Sequence, residues 1–152
     1  MMKIEQLNDD YAIEIANHWK YPDPYSFYNM TADPEDYEEI ICADLRKDHY
    51  FQVVNDEGLY GFFALYPVDD TLELGLGIKP EYTGKGEGED FIRLIMSYIK
   101  NNYQVSAIFL SVIDFNIRAQ KVYEKIGFKK TRELLQETNG STYCFIEMKF
   151  EL

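Results

Sequence analysis

Hydrophobic and polar positions follow two periods along the chain, and the changes of period divide it into helices and strands. Apolar residues recur at helical spacing in four segments: Asp9–Lys20, Asp33–Lys47, the stretch after Gly88, and Asn116–Gly127. Strand patterns fall at 2–6, Tyr50–Val54, Leu59–Tyr66, Thr71–Ile78, Val105–Val112, Phe128–Glu137 and Thr142–Phe150. The predicted order is that of a mixed α/β (α+β) chain.

Local signals set the limits of several helices. Pro22 and Pro24 end the first helix, and Asp33 before Pro34 predicts the start of the second. Gly127 predicts the end of the last helix. The aromatic stretch that follows Pro24 shows no clear period.

The strand Thr71–Ile78 has two different faces. Leucine and isoleucine occupy one face, whereas Glu73, Gly75 and Gly77 share the other. The apolar run Val105–Val112 predicts a strand buried on both faces. The connection between these two strands contains a helix and is long enough to make them parallel.

Charge and length narrow the classes of function. A chain of 152 residues is expected to form a single domain, residues 1–152. Its net charge of −12 argues against a nucleic acid or an anionic membrane as partner and favours a cationic one. Cys42 and Cys144 are far apart in sequence, and the N-terminus has no apolar stretch of signal-peptide length. A cytoplasmic location is therefore predicted.

A glycine cluster, Gly84-Lys85-Gly86-Glu87-Gly88, lies between a strand and a helix. Such a cluster is either a tight turn or a cradle for phosphate groups. It matches neither the P-loop, because no Ser or Thr follows Gly84-Lys85, nor the dinucleotide fingerprint, because Glu89 takes the place of its third glycine.

The segment Ile78–Gly88 resembles the pyrophosphate loop of the GNAT superfamily of N-acetyltransferases. The later segment Asn116-x-x-Ala119-x-x-x-Tyr123-Glu124-Lys125-x-Gly127-Phe128 is similar to the second motif of that family. The resemblance implies the GNAT acyl-CoA N-acyltransferase fold, a mixed, mostly antiparallel sheet flanked by helices. It also implies acetyl-CoA as cosubstrate. No metal is expected, because His18 and His49 do not stand at the spacing of metal ligands in the sequence.

By the same resemblance, coenzyme A contacts both motifs. The implied contact residues are Leu76, Ile78, Thr83, Gly84, Lys85, Gly86, Glu87, Gly88, Asn116, Ala119 and Tyr123. Thr83 stands where the family usually has Arg or Gln, and acidic residues crowd the first turn of the following helix.

Two residues are predicted to be catalytic. The resemblance makes Tyr123 the proton donor to the departing thiolate, whereas periodicity alone favours an ordinary core aromatic residue on an amphipathic helix. Glu73 is the candidate base for the acceptor amine, because the neighbouring glycines leave space for a ligand beside the strand. The alternatives are a solvent-facing Glu73 and proton transfer to water.

The acceptor is expected to be a primary amine of a cationic small molecule or peptide. Tyr25, Phe27 and Tyr28, together with Glu73, are the candidate contacts, since aromatic faces hold ammonium groups. The aromatic residues could equally form a lid on the core. A polyamine, an antibiotic, a free amino acid and a protein N-terminus remain open as acceptors, and a homodimer remains open as the assembly. The rival functions are a coenzyme-A-binding regulatory module and a protein-interaction domain.

Overall fold

The computed structural model describes residues 2–152, and these contain a seven-stranded mixed sheet. The strands are β1 (Lys3–Gln6), β2 (Tyr50–Asn55), β3 (Gly58–Val68), β4 (Thr71–Ile78), β5 (Ala107–Ile113), β6 (Lys129–Thr138) and β7 (Ser141–Glu151). Their order in the sheet is β1-β2-β3-β4-β5-β7-β6. The β4–β5 pair is parallel, and the pairs β1–β2, β2–β3, β5–β7 and β6–β7 are antiparallel. The sheet confirms the mixed, mostly antiparallel architecture.

The helices lie where the helical period predicts them, with one exception described below. They are α1 (Asp9–His18), α2 (Pro34–Ile41), α3 (Ala43–Arg46), α4 (Gly88–Asn102) and α5 (Ile117–Ile126). Short 3₁₀ helices cover Tyr25–Tyr28, Met30–Ala32 and Pro80–Tyr82. Within residues 2–152, none of the helices combines the length and the apolar character that a membrane crossing requires.

The chain divides into two compact units, and β3 and β4 each contribute to both. The first unit contains the chain up to Ala64 together with Leu76–Thr83. Its core is aromatic: the rings of Trp19 and Tyr50 lie 5.9 and 6.2 Å from that of Phe62, and Phe51 stacks on Phe63 at 5.0 Å.

The helix predicted from Asp33 to Lys47 is interrupted at Cys42, which corrects the sequence reading. Cys42 has an extended backbone (φ −93°, ψ 113°) and separates α2 from α3. Arg46 explains the break: its buried guanidinium donates to the Ile40 carbonyl at 2.8 Å and pairs with the carboxylate of Asp9. The short α3 directs this arginine inward, while Leu45 is 50% exposed.

The second unit contains Leu65–Gly75 and Gly84–Leu152. The parallel register runs from Thr71–Ala107 to Glu73–Phe109, as the long connection predicted. The expectation that β5 is buried on both faces is only partly correct, because Phe109 is half-buried and Ser111 is exposed. Its other residues are buried, and its edge pairs with β7 over its whole length.

Gly127 ends α5 in a conformation that only glycine adopts easily, and this makes it a test of the fold. Its φ is +127°, and an added Cβ would lie 2.9 Å from the ring of Phe150. We predict that Gly127→Ala lowers the free energy of unfolding by about 2–3 kcal/mol, from backbone strain and crowding together.

Gly140→Asn is the matched control, measured by the same urea denaturation. Gly140 also has positive φ, +78°, but nothing lies within 4 Å of its added Cβ, and asparagine tolerates this conformation. Equal losses in the two variants would contradict the account of Gly127.

Candidate active site

The glycine cluster forms an exposed loop with left-handed backbone at two positions. Gly84 and Gly86 have φ of +73° and +76°, and the loop leads directly into α4. Thr83 closes the preceding turn, because its hydroxyl donates to the carbonyl of Pro80 at 2.7 Å. The side chain of Thr83 is therefore engaged with its own turn.

The N-terminus of α4 is suited to binding an anionic group. The first N–H groups of a helix have no partner within the helix, and the helix dipole adds positive potential there. Glu87, at the N-cap, makes no capping side-chain hydrogen bond in the described structure. The space beside Gly86 and Gly88 is open, since no atom lies within 4 Å of an added Cβ. These residues fit a pyrophosphate approached by backbone N–H groups.

The acidic residues in the first turn of α4 are partly neutralised by neighbours. Glu89 accepts from Nζ of Lys125 at 2.9 Å and from Nε of Arg93 at 3.0 Å. These two hydrogen bonds hold the pKa of Glu89 below its usual value. The cations reduce the repulsion that Glu89 exerts on a phosphate group.

Arg118 lies beside the glycine loop and is a candidate site residue that the sequence reading missed. Its Nη1 atom lies 3.5 Å from the position of an added Cβ on Gly84. A guanidinium matches phosphate oxygens with a planar set of donors. The available signal was its place inside the second motif, between Asn116 and Ala119; only the packing of α5 brings it beside the loop.

The second motif builds the start and the core face of α5. Asn116 is the N-cap, and its side chain accepts from the N–H of Ala119 at 3.2 Å. Tyr123 is 8% exposed, and its ring lies 5.8 Å from that of Phe128. Asn116 thus has a structural role of its own, and Tyr123 has the core position that periodicity predicted.

Glu73 projects from the second unit's part of β4, on the same face as Gly75. The residue is exposed, and no atom lies within 4 Å of an added Cβ on Gly75. Partial burial of the carboxyl group, and then the charge of Glu147, raise the pKa of Glu73. Glu147 itself accepts from Thr131 at 2.7 Å and pairs with Arg132 at 3.2 Å.

In the first unit, the end of β4 is more enclosed than the glycine pattern suggested. An added Cβ on Gly77 would lie 2.5 Å from the ring of Phe62, so Phe62 fills that side of the strand. Leu76 and Ile78 are half-buried. The carbonyl of Ile78 accepts a hydrogen bond from the hydroxyl of Tyr21 at 2.8 Å.

The proposed acceptor residues lie in the first 3₁₀ helix. Tyr25 and Phe27 are half-buried and Tyr28 is 38% exposed. The rings of Phe27 and Tyr28 meet edge to face at 5.4 Å. This geometry keeps them together and is equally consistent with a lid on the core.

Carboxylates accumulate around the start of α2. Burial, and then the charges of Asp33, Glu39 and Glu35, raise the pKa of Asp36 to about 6. Mutual repulsion of this kind is relieved by a bound cation. No group of three or more His, Cys, Asp or Glu residues within 2–152 is arranged to hold a metal ion.

The glycine loop at the N-terminus of α4 and the strand order of the mixed sheet fit the fold that the two sequence motifs predicted. The acetyltransferase (GNAT) domain model matches residues 2–129. The chain belongs to the GNAT acetyltransferase family, and it is an N-acetyltransferase that uses acetyl-CoA as cosubstrate.

Individual relatives agree with this assignment. The chain is 27% identical over 122 residues to a spermine/spermidine N(1)-acetyltransferase of Bacillus subtilis, covering 72% of this chain and 79% of the relative. It is 23% identical over 133 residues to an N-alpha-acetyltransferase of Saccharolobus solfataricus, covering 85% and 80%. The fold is similar to the spermidine N-acetyltransferase of Vibrio cholerae solved with CoA and spermine, with a TM-score of 0.75, 20% identity and coverage of 99% and 95%.

Arg118 beside the glycine loop gives a direct test of the cosubstrate site. We predict that Arg118→Ala weakens acetyl-CoA binding about fivefold, because a partly exposed contact with phosphate contributes about 1 kcal/mol. Isothermal titration calorimetry measures the change in Kd.

Lys121→Ala is the control, since it removes an exposed cation from the same helix. A similar loss of affinity in both variants would show that the general positive charge of α5, and not the position of Arg118, is responsible.

Proposed function

We propose that the enzyme transfers the acetyl group of acetyl-CoA to a primary amino group of a polyamine such as spermidine or spermine. The observation that carries the proposal is the carboxyl group of Glu73, with its raised pKa, on a strand face that is open at Gly75. The relatives named for spermine and spermidine acetylation, and the net charge of −12, support a polycationic acceptor.

The proposed reaction needs a base, an acid and a donor to the carbonyl oxygen. Glu73 accepts a proton from the acceptor ammonium, directly or through water, so that the neutral amine can attack. The C–N bond forms as the C–S bond breaks, and the hydroxyl of Tyr123 protonates the departing sulfur. The second proton, which the nitrogen loses as it becomes an amide, passes through water to the Tyr123 oxygen, and Glu73 releases its proton to solvent. The backbone N–H groups of Leu76 and Ile78 stabilise the negative charge on the carbonyl oxygen.

The cosubstrate is held by the two sequence motifs in this proposal. The backbone of Gly84–Gly88 binds the pyrophosphate at the head of α4, and Lys85 and Arg118 add positive charge. Asn116 and Ala119 shape the start of α5 beside this group. Thr83 contributes its backbone, because its hydroxyl is engaged with Pro80.

The acceptor is bound by aromatic and acidic side chains. Tyr25, Phe27 and Tyr28 offer ring faces to ammonium groups. The carboxylates around Asp36, which repel one another in the free protein, attract a polycation. Each ammonium group of a polyamine can compensate one such charge.

Three broader features belong to the same proposal. Residues 1–152 function as one acetyltransferase domain. The protein acts in the cytoplasm, where its free cysteines, Cys42 and Cys144, remain reduced. A homodimer is the proposed assembly.

An acceptor panel tests the polyamine assignment. We predict that spermidine and spermine give the highest kcat/KM among amines, read as free thiol released from acetyl-CoA, and that their KM rises with salt as the charge attraction is screened. Lysine and a peptide with a free N-terminus are the comparison acceptors. A higher kcat/KM with the peptide would identify a protein N-terminus, and not a polyamine, as the acceptor. Binding of acetyl-CoA without thiol release in the presence of any acceptor would favour a regulatory module.

The pH dependence of kcat/KM tests Glu73 as the base. The rate falls on the acid side as Glu73 is protonated, and its raised pKa places this fall at higher pH than for an ordinary glutamate. Glu73→Gln is expected to reduce the rate by about 10²-fold near neutral pH, with a smaller loss at alkaline pH, where more of the amine is already neutral.

Glu147→Gln removes the like charge and is expected to lower the pKa of Glu73, so that the acid limb moves to lower pH. Glu133→Gln, an exposed carboxylate on the same β6–β7 hairpin, is the control and leaves the limb in place. An acid limb unchanged by both Glu73→Gln and Glu147→Gln would assign proton transfer to another group.

A further inference from the structure

Tyr21 joins the segment after α1 to the end of β4 through one long-range hydrogen bond. Its hydroxyl donates to the backbone oxygen of Ile78 at 2.8 Å. Its own N–H donates to Oδ1 of Asn29 at 2.9 Å, which holds the backbone that carries the ring. Burial raises the pKa of Tyr21, so the phenol remains a protonated donor throughout the working pH range.

The peptide group between Ile78 and Lys79 is held at both ends. The N–H of Lys79 donates to the carbonyl of Tyr60, in β3, at 2.9 Å. In a trans peptide the C=O and the N–H point in opposite directions, so the carbonyl of Ile78 points away from β3. The hydroxyl of Tyr21 donates to this carbonyl from the side opposite β3. Tyr60 and Tyr21 thus clamp one peptide plane from opposite sides.

The N–H of Ile78 belongs to the preceding peptide plane, and strand geometry couples its direction to that of the held carbonyl of Ile78. Within a strand, the N–H and C=O groups of one residue point to the same edge. Ile78 is the last residue of β4, and its N–H is therefore directed to the edge that β3 does not use. The side chain of Lys79 is fixed as well, by Glu81 at 3.0 Å and Glu14 at 3.8 Å.

We propose that Tyr21 is a positioning residue for acetyl transfer, which holds the carbonyl of Ile78 so that the N–H of Ile78 points at the acetyl oxygen. This inference rests on the proposed function, in which that N–H stabilises the oxyanion. A hydrogen-bond donor is effective in catalysis when it is oriented before the charge develops. Without Tyr21, the bond to Tyr60 is the hydrogen bond that residues 2–152 still provide to this peptide, so the backbone at Ile78 can rotate and its N–H loses a fixed direction.

The test compares Tyr21→Phe with Tyr82→Phe. Tyr82 belongs to the same unit and stacks on Tyr60 at 5.0 Å, but its hydroxyl donates to the exposed side chain of Glu57, at 3.4 Å, and not to the backbone of β4. Tyr21→Phe is expected to lower kcat about tenfold, a smaller loss than the removal of a whole donor. The KM for acetyl-CoA should stay within about twofold, because the interaction acts on the transition state. Tyr82→Phe should leave both constants unchanged.

A spectroscopic measurement separates positioning from general loss of structure. The probe is a ¹³C-carbonyl ketone analogue of acetyl-CoA, in which a methylene group replaces the thioester sulfur and prevents transfer. Its bound carbonyl stretching band reports the hydrogen bond to the acetyl oxygen. We expect this band to move toward its frequency in water-free solvent in Tyr21→Phe and to stay in place in Tyr82→Phe. An unchanged band together with an unchanged kcat in folded Tyr21→Phe would overturn the inference, as would equal shifts in the two variants.

Two further outcomes are distinguishable. The infrared measurement uses no acceptor, so a band shift without polyamine acetylation would support the inference and overturn only the proposed acceptor. Failure of the wild-type enzyme to bind the analogue would overturn both.

If Tyr21→Phe does not fold by circular dichroism, Asn29→Ala, which releases the backbone of Tyr21, is expected to shift the band in the same direction. A folded Asn29→Ala enzyme without a shift would then count against the inference.

Discussion

The backbone groups of β4 need hydrogen-bond partners along both edges, and the partners change along the strand. At its start, Thr71–Glu73 pair with β5 in parallel register. At its end, the N–H of Lys79 bonds to Tyr60, and the carbonyl of Ile78 is satisfied by a tyrosine side chain and not by a strand. A side-chain hydroxyl can satisfy one carbonyl and leave the adjacent N–H directed outward. A strand end with such an outward N–H group can donate a hydrogen bond to a ligand.

In the second unit, short-range ion pairs offset the negative charge of the chain near the glycine loop. The chain has a net charge of −12, which by itself opposes an anionic cosubstrate. At the glycine loop the local charges differ from this average, because Glu89 is paired with Arg93 and Lys125, and Arg118 lies beside Gly84. Screening limits the reach of distant charges, so these neighbours determine the potential that a phosphate group meets. One protein can therefore combine a strongly negative net charge with a loop whose local charges suit an anionic group.

Short-range contacts also give Glu147 and Glu73 different affinities for a proton. Glu147 has a lowered pKa because Thr131 and Arg132 hydrogen bond to it, and its stable negative charge contributes to the raised pKa of Glu73. Partial burial, and then the charge of Glu147, raise the pKa of Glu73, so Glu73 is the carboxylate of the pair that is better able to accept a proton. The strand pattern pointed to Glu73 as a candidate base, but it did not predict Glu147 as its neighbour, because most of the second unit separates the two residues in sequence.

The sequence alone determined the order of elements, the limits of most strands and the family. Period and turn residues act locally, so β4 was predicted at its observed limits, Thr71–Ile78, and the glycine loop and second motif were recognised as contiguous segments. Tertiary structure decided what depends on distant residues. The break at Cys42 follows from the contacts of buried Arg46 with Ile40 and Asp9, and the face at Gly77 is closed by Phe62. The places of Arg118 beside Gly84 and of Tyr21 on Ile78 likewise arise only when the chain packs, because hydrogen bonds and side-chain contacts between segments far apart in sequence leave no periodic signal in either segment.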